Sequence, residues 1–374
     1  MPSTFRLILA CFIALSACGS APGGSQSPAA RPFNITAIAE FDSPFAMAFL
    51  PGTATGLVTE KAGRLWLVDI RTGQKQEIGG LPEVSAGGQG GLLDVVASPR
   101  FTTDRLVYLT YSEPSPAAGS GLALARARLD GTRLTNLKVL WRDEGGGEGG
   151  QFGAIVAFAP DGQSLFLTSG DRQRMTPAQD PDRPVGKILH LTLEGRAFPG
   201  NPSHGPGKAR AETWSTGHRN PYGLAFDSAG RLWETEMGPR GGDELNLIKP
   251  GKNYGWPLAS YGTHYDGRDI PDDHKSRGFE EPKLWWNPSV SPTSLIIYSG
   301  KLFPQWKGSA FIGALSAEAL IRVTFDGEAA RKADQWNMDA RIRFVGEGPE
   351  GAIYLLEDGG RLVKLTPAAA QARR

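Results

Sequence analysis

The stretch that decides the fold is residues 157–171, with the sequence AFAPDGQSLFLTSGD. A short apolar run leads into Pro160-Asp161-Gly162, a second apolar run follows, and Gly170-Asp171 ends the unit. Proline and glycine fix the backbone of turns, so two short apolar runs on either side of such a triplet are typical of a β-hairpin. This unit therefore predicts two antiparallel strands joined by a tight turn.

The same unit recurs along the chain. Each copy has an apolar strand, a Pro/Asp/Gly turn, a second apolar strand and an acidic or glycine end. The copies cover residues 48–69, 96–110, 157–171, 225–236, 300–314 and 348–358. Radial repetition of small sheets is typical of a propeller. We therefore predict an all-β fold, a six-bladed β-propeller of four-stranded antiparallel blades; a pair of β-sandwiches is the alternative.

Composition excludes several classes of function. The 374 residues carry a formal net charge of +1, without a basic run, which gives no basis for nucleic-acid binding. No Gly-x-Gly-x-x-Gly follows a strand and no phosphate-binding loop is present, so nicotinamide and ATP sites have no support. The five histidines are not at metal-ligand spacing.

The first residues have the pattern of an export signal. Arg6 is followed by a short apolar run, and both cysteines, Cys11 and Cys18, fall in the first eighteen residues. The ending Leu-Ser-Ala-Cys18 resembles the bacterial lipobox. We predict a lipoprotein signal peptide at 1–17, lipidation of Cys18, a flexible tether at 18–32, a propeller at 33–368, and a periplasm-facing, lipid-anchored protein of the bacterial cell envelope. A plain cleavable signal is the alternative.

Three neighbouring segments carry a mixture of groups that packing does not require. They are WSTGHRNPYGLAF at 214–226, EMGPRGGDELN at 236–246 and NYGWP at 253–257. Glycine and proline place them in loops, where binding and catalytic groups concentrate. Guanidinium and amide groups followed by paired carboxylates indicate an anionic ligand beside a hard cation.

These segments, with GQGGLLD at 88–94 and RIR at 341–343, resemble the soluble glucose and aldose sugar dehydrogenases that depend on pyrroloquinoline quinone (PQQ), the glucose/sorbosone dehydrogenase family. The resemblance runs from about residue 33 to 365. It implies a six-bladed propeller with PQQ and Ca²⁺ as cofactors. The implied reaction oxidises an aldose, or a sugar aldehyde such as sorbosone, to a lactone or acid. Electrons would pass to a quinone or cytochrome acceptor.

The resemblance also implies residue roles. Fork-shaped guanidinium groups suit the carboxylates of PQQ. The residues matching quinone contacts are Gln89, Arg219, Asn220, Trp286, Arg341 and Arg343, with Arg219 also polarising the quinone. The main-chain carbonyls of Gly238 and Pro239 match ligands of the cofactor-bridging calcium, and Asp243, Glu244 and the Tyr254 carbonyl match a second calcium site. Blade-linking contacts and solvated turns are the structural alternatives for single residues.

Three positions depart from the family pattern: Ile155 falls near an expected arginine, Ser316 stands where the glucose enzymes carry a lysine, and the third, Gln151, bears on the chemistry. Gln151 stands where the resemblance places the histidine that serves as general base, and an amide cannot accept a proton near neutral pH. Glu148, Asp171 and His218 are the candidate substitutes. The departure leaves two alternatives to a dehydrogenase: a non-catalytic propeller that binds a sugar or protein on its loop face, and a calcium-dependent lactonase.

Overall fold

The computed structural model describes residues 31–115, 119–147, 149–202 and 206–368. The signal peptide, Cys18, most of the predicted tether and Glu148 lie outside these residues, so those predictions stay predictions. Helix within the described part is short: α1 (Phe101–Asp104), α2 (Lys208–Glu212) and the 3₁₀ turns Thr176–Gln179 and Pro304–Trp306. None of these helices is long and apolar enough to cross a membrane.

Strands make up nearly all the remaining regular structure. In chain order they are β1 (Phe33–Glu40), β2 (Pro44–Phe49), β3 (Thr55–Glu60), β4 (Arg64–Asp69), β5 (Lys75–Ile78), β6 (Leu92–Ala97), β7 (Leu106–Ser115), β8 (Gly119–Asp130), β9 (Arg133–Arg142), β10 (Gly153–Phe158), β11 (Ser164–Ser169), β12 (Lys187–Thr192), β13 (Thr213–Thr216), β14 (Pro221–Phe226), β15 (Leu232–Glu236), β16 (Arg240–Gly241), β17 (Asp243–Ile248), β18 (Gly262–Thr263), β19 (Leu284–Trp286), β20 (Pro292–Ile297), β21 (Ala310–Ala314), β22 (Ala319–Asp326), β23 (Ala329–Asn337), β24 (Ile342–Glu347), β25 (Ile353–Glu357) and β26 (Arg361–Pro367).

The strands form six four-stranded antiparallel sheets, which confirms the predicted six-bladed propeller. From the axis outward the blades are β2-β3-β4-β5, β6-β7-β8-β9, β10-β11-β12-β13, β14-β15-β17-β19, β20-β21-β22-β23 and β24-β25-β26-β1. Five of the six predicted repeat units contain the turn between the first two strands of a blade and the second of those strands, whereas the unit at 48–69 runs on through β3 to β4. The short pair β16-β18 is an addition to the fourth blade's loops.

The ring is closed by the strand nearest the N-terminus. β1 pairs antiparallel with β26, with Phe33 opposite Pro367 and Glu40 opposite Arg361, so it supplies the outermost strand of the last blade. The chain then passes directly into β2, the innermost strand of the first blade. The sixth blade is therefore tied covalently to the first.

Buried threonine hydroxyls join the other five pairs of neighbouring blades. Each hydroxyl donates to a main-chain carbonyl on the innermost strand of the next blade. The pairs are Thr59 to Leu93 at 2.7 Å, Thr110 to Ala154 at 2.7 Å, Thr168 to Pro221 at 3.0 Å, Thr235 to Thr293 at 3.1 Å, and Thr293 to Ile342 at 3.0 Å. The ring is thus held by hydrogen bonds as well as by packing.

Three of these hydroxyls have a second function at β-bulges. The innermost strands break register with their neighbours near residues 44–47, 92–95 and 153–156. A bulge leaves a main-chain N–H without a strand partner. The N–H of Ala46, Asp94 and Ile155 is accepted by Thr59, Thr110 and Thr168 at 2.9–3.0 Å. Apolar clusters fill the space between neighbouring blades, for example Trp233 and Leu245 against Ile312 and Ile321.

Replacing Thr168 with valine tests the hydroxyl bridge. Valine keeps the shape but leaves the Ile155 N–H and the Pro221 carbonyl unpaired in the core, so the free energy of unfolding should fall by about 1–3 kcal/mol. Denaturant unfolding measures the change, with Thr36→Val on the exposed face of β1 as the control. Equal stability of the two variants would show that the bridge contributes nothing.

Candidate active site

A cavity of about 330 Å³ opens at the end of the propeller where the innermost strands begin. Its walls come from the first, second, fourth, fifth and sixth blades. The lining residues are Phe45, Lys61, Gln89, Tyr222, Met237, Tyr265, Ser291, Leu315, Arg341 and Arg343. Three predicted contacts, Gln89, Arg341 and Arg343, therefore meet in one space although they are distant in sequence.

The two arginines share one carboxylate. Arg341 Nε donates to Asp358 at 3.1 Å, and Arg343 donates through Nε and Nη2 at 2.9 and 2.7 Å. These contacts to the guanidinium groups keep the pKa of Asp358 below its usual value, although its burial opposes that shift. Two positive charges face one negative charge, so this wall of the cavity attracts anions.

Gln89 is held in one orientation. Its carboxamide oxygen accepts the Gln151 N–H at 2.7 Å and lies 3.3 Å from the Tyr222 hydroxyl. Because the oxygen is engaged, the amide nitrogen is the group that Gln89 offers to a ligand. Its role at this position is that of a donor.

Gln151 lies beside Gln89 and is almost fully buried. Its side-chain oxygen accepts the Gln173 N–H at 3.2 Å, and its backbone has a φ of 51°, in the left-handed region. The residue is therefore fixed by its neighbours, as a positioned catalytic group would be. Its amide can orient a hydroxyl group but cannot remove its proton.

Arg219 lies on the fourth-blade side of the propeller axis, and its guanidinium group contacts main-chain carbonyls and aromatic side chains. Its Nη1 donates to the carbonyls of Met237 and Gly238 at 3.0 and 2.7 Å, and Nη2 donates to the Tyr265 hydroxyl at 3.2 Å. The guanidinium carbon also lies 5.3 Å from the Trp256 ring centroid. The Gly238 carbonyl, assigned to calcium from the sequence, thus already accepts from Arg219.

The side chain of Asn220, next to Arg219, makes its contacts within the protein. Its side-chain oxygen accepts the Gly153 N–H at 3.3 Å, and its amide nitrogen lies 3.8 Å from the Met237 sulfur. The side chain is 1% exposed. Asn220 therefore supports the wall of the site and connects the third blade to the fourth.

Asp243 does not have the role expected from the sequence. Its carboxylate accepts four hydrogen bonds: from the N–H groups of Gly238, Val290 and Ser291 and from the Ser289 hydroxyl, all at 2.6–2.9 Å. These donors saturate the carboxylate, which therefore fixes two loops instead of binding a metal through its side chain.

A cluster of buried carboxylates lies behind Arg219 instead. In the antiparallel pair β15–β17, Glu234 is opposite Asn246 and Glu236 is opposite Glu244, which places all four on one face. The Asn246 amide nitrogen lies 3.1 Å from Glu234 and Glu244 and 3.4 Å from Glu236. Burial and repulsion from Glu236 raise the pKa values of Glu234 and Glu244 well above the usual range.

This cluster fits a hard cation. Glu236, Glu244 and Tyr254 border a void of about 10 Å³, room for a single small occupant. Within the described residues, the Asn246 Oδ1 and Glu234 Oε1 atoms are buried without a hydrogen-bond partner. Glu234 and Asn246 do not border that void, so an ion in it would have Glu236 and Glu244 as its carboxylate ligands, a ligand type that suits calcium. Glu244 and Tyr254 were predicted here; Glu234, Glu236 and Asn246 were missed.

Two further predicted residues lie away from the cavity. Trp286 is in β19, the outermost strand of its blade, packed in an apolar cluster with Lys332 over its ring. A side chain there cannot stack on a ligand at the propeller axis. Asp171 is buried, and its carboxylate accepts from the Trp256 indole at 2.7 Å and from two main-chain N–H groups.

The cavity also contains residues outside the predicted set of site residues. Lys61 follows β3, Tyr265 lies between the fourth blade's third and fourth strands, and Ser291 precedes β20. Tyr265 is 72% exposed, an unusual position for a large aromatic ring. It lies in a loop without a repeat pattern, so the sequence alone gives it no defined role.

The fold and this site define a six-bladed propeller with a cationic cavity at its axis. The model of the family described as Glucose / Sorbosone dehydrogenase matches residues 41–364, and the chain belongs to that family. It is similar to the aldose sugar dehydrogenase YliI of Escherichia coli strain K12, with 38% identity over 338 residues that cover 88% of this chain and 91% of the relative.

Solved structures show the same likeness. The apo-form of the soluble aldose sugar dehydrogenase from Escherichia coli has a TM-score of 0.85 at 36% identity, covering 90% of this chain and all of that one. The PQQ-bound form of the aldose sugar dehydrogenase from Streptomyces coelicolor has a TM-score of 0.74 at 31% identity, covering 91% of this chain and 99% of that one.

Glu244→Gln tests the buried cluster. A raised carboxyl pKa in the folded state means that its stabilising effect is present below the unfolded pKa of about 4.3 and is lost as pH rises through the folded pKa. Without calcium, the variant should therefore lose less stability than wild type between pH 5 and 8, where thermal melts are recorded.

With calcium present, the wild type should be more stable than the Glu244→Gln variant. At about a hundredfold excess over Kd, one bound ion stabilises the wild type by about 2.7 kcal/mol, and the variant should gain much less. The exposed Glu77→Gln is the control and should respond as wild type does. Equal calcium responses of wild type and Glu244→Gln would remove the site from this cluster.

Proposed function

We propose that this protein is a PQQ- and calcium-dependent oxidoreductase that oxidises an aldose, or a related sugar aldehyde, to a lactone or acid. The cavity that brings Gln89, Lys61, Arg341 and Arg343 together at the propeller axis carries the proposal. The similarity to proteins named aldose sugar dehydrogenase and to a PQQ-bound structure supports it.

The residues present fit a planar tricarboxylate. Arg341 and Arg343 would bind carboxylates through their remaining N–H groups, and Gln89 would donate from its amide nitrogen. Arg219, between two aromatic rings, would contact the oxygens of the cofactor. PQQ, when bound, would supply the quinone that accepts the two electrons of sugar oxidation as a hydride.

Calcium would be held by two parts of the fourth blade. Glu236, Glu244 and the Tyr254 carbonyl fit one ion, as described above. The carbonyls of Gly238 and Pro239 lie in the loop after β15 and are proposed for a second ion next to the cofactor; there Arg219 must give up its bond to Gly238. Positive charge at that position stabilises negative charge that develops on a bound oxygen.

Glu148 lies outside the described residues, and among the residues that the structure describes no candidate base is free to accept the proton of the sugar hydroxyl. Gln151 cannot accept it, Asp171 already accepts three hydrogen bonds, and His218 lies buried between Ser215 and Glu236 at 2.9 and 3.0 Å. Loss of a general base typically lowers a rate by about a hundredfold to ten-thousandfold. We therefore propose slow turnover with intact cofactor binding.

The glutamine at position 151 favours one other function. A propeller that binds a sugar or protein on its loop face without catalysis tolerates glutamine at position 151. A lactonase-type calcium site has less support. Among the described residues, Asp94 supplies the one carboxylate that lines the channel along the propeller axis. Both oxygens of that carboxylate already accept main-chain N–H groups. We also propose that the predicted export signal and lipidation of Cys18 keep the oxidoreductase at the periplasmic side of a membrane, where a quinone or cytochrome would accept its electrons.

Titration of the tether-truncated protein with PQQ and calcium, followed by aldose-dependent reduction of a dye, tests the proposal. We expect calcium-dependent binding of PQQ at micromolar concentration or tighter, with measurable turnover on aldoses. Binding without any turnover would favour the non-catalytic alternative. Absence of PQQ binding at micromolar concentration would refute the proposed function.

Gln151→His tests the cause of slow turnover. An imidazole at this position can accept the hydroxyl proton, so kcat should rise by about a hundredfold or more while PQQ affinity changes little. The rate should also increase with pH through the imidazole pKa. Gln163→His, on an exposed turn, is the control. An unchanged kcat would show that the missing base does not limit this protein.

A further inference from the structure

Lys61 is a cation of the axial cavity, and the proposed function assigns it no contact with the cofactor. It follows β3, is half-buried, and lines the cavity with Arg341 and Arg343. Its Nζ donates to the Gly88 carbonyl at 2.9 Å. Burial and the charge of Arg343 lower its pKa, so the protein environment itself disfavours its positive charge.

The charges around Lys61 do not balance. Asp358 is shared by Arg341 and Arg343, as described above, and within the described ranges Lys61 has no carboxylate partner within 4.0 Å. Three positive side chains therefore face one carboxylate across the cavity. Like charges at close range repel, and a bound anion relieves that repulsion.

The contact to Gly88 links Lys61 to the next ligand group. Gly88 has a φ of +59°, and a Cβ there would lie 2.4 Å from the Gly149 carbonyl oxygen. The following N–H, of Gln89, donates to that same oxygen at 2.9 Å. Lys61 therefore lies against the segment that presents the Gln89 amide to the cavity.

We propose that Lys61 is a third cationic anchor of the cavity, whose ammonium group pairs with a carboxylate of the bound cofactor. The inference rests on the proposed function, since it takes PQQ as the polyanion. Lys61 acts as a binding residue that contacts the cofactor and takes no part in proton transfer. Its position beside Gln89 places the two donors on the same part of the ligand.

The test compares PQQ with its uncharged trimethyl ester. Quenching of tryptophan fluorescence gives Kd for both in calcium-containing buffer, for wild type, Lys61→Met and Lys61→Arg. Lys61→Met should weaken PQQ binding by roughly tenfold, as expected for loss of one charged hydrogen bond, and leave ester binding unchanged. Lys61→Arg should retain most of the affinity for PQQ.

Lys301→Met is the matched control. Lys301 also donates to a main-chain carbonyl, that of Pro349, but lies on the surface outside the cavity. The Lys301→Met variant should bind PQQ with the same Kd as the wild type. The salt dependence of PQQ binding should decrease in Lys61→Met and stay unchanged in the control.

Three results separate the possible failures. Equal PQQ affinity of wild type and Lys61→Met would overturn the anchor while leaving the proposed function intact. Equal losses for PQQ and its ester would assign Lys61 to support of the Gly88 segment and also overturn the anchor. If the wild type binds no PQQ, the proposed function fails, and the inference fails with it.

Discussion

The structure depends on closing a ring of six sheets, each of which would otherwise leave its faces exposed. Two devices close it: β1 completes the last blade before the chain enters the first, and buried threonine hydroxyls bridge the five other junctions. Three of these hydroxyls also satisfy N–H groups that bulges free in the innermost strands. Because the bulges lie where those strands begin, the ring bends its backbone at the end where the cavity opens.

Closure explains how distant residues form one site. Gln89, Arg219 and Arg341 come from the second, fourth and sixth blades, and each lies just before an innermost strand begins. The axis gathers those ends, and their side chains are mainly hydrogen-bond donors. The fourth blade adds the opposite charge, with carboxylates buried on one face of β15 and β17. A polyanion at the axis and a cation behind it would balance both groups.

Much of this could be predicted from the sequence, and the omissions have physical causes. Each hairpin carries its own turn residues, so six blades were visible, but the partner of β1 lies at the far end of the chain. Arg341 and Arg343 were found through the resemblance to the dehydrogenase family; as alternate residues along a strand they would also face one way. Glu234 and Glu236 follow the same rule within an apolar strand, yet their meaning depends on pairing with β17. Three of the four donors that saturate Asp243 come from a loop more than forty residues away.

The most direct test of the proposed binding of a planar polycarboxylate quinone to the cationic wall of the axial cavity is a crystal structure of the protein soaked with PQQ and calcium. We expect quinone density at the axis, with carboxylates against Arg341, Arg343 and Lys61, and a calcium ion beside Glu236 and Glu244. A well-ordered cavity that stays free of PQQ at saturating concentration, or PQQ bound on another surface, would contradict it.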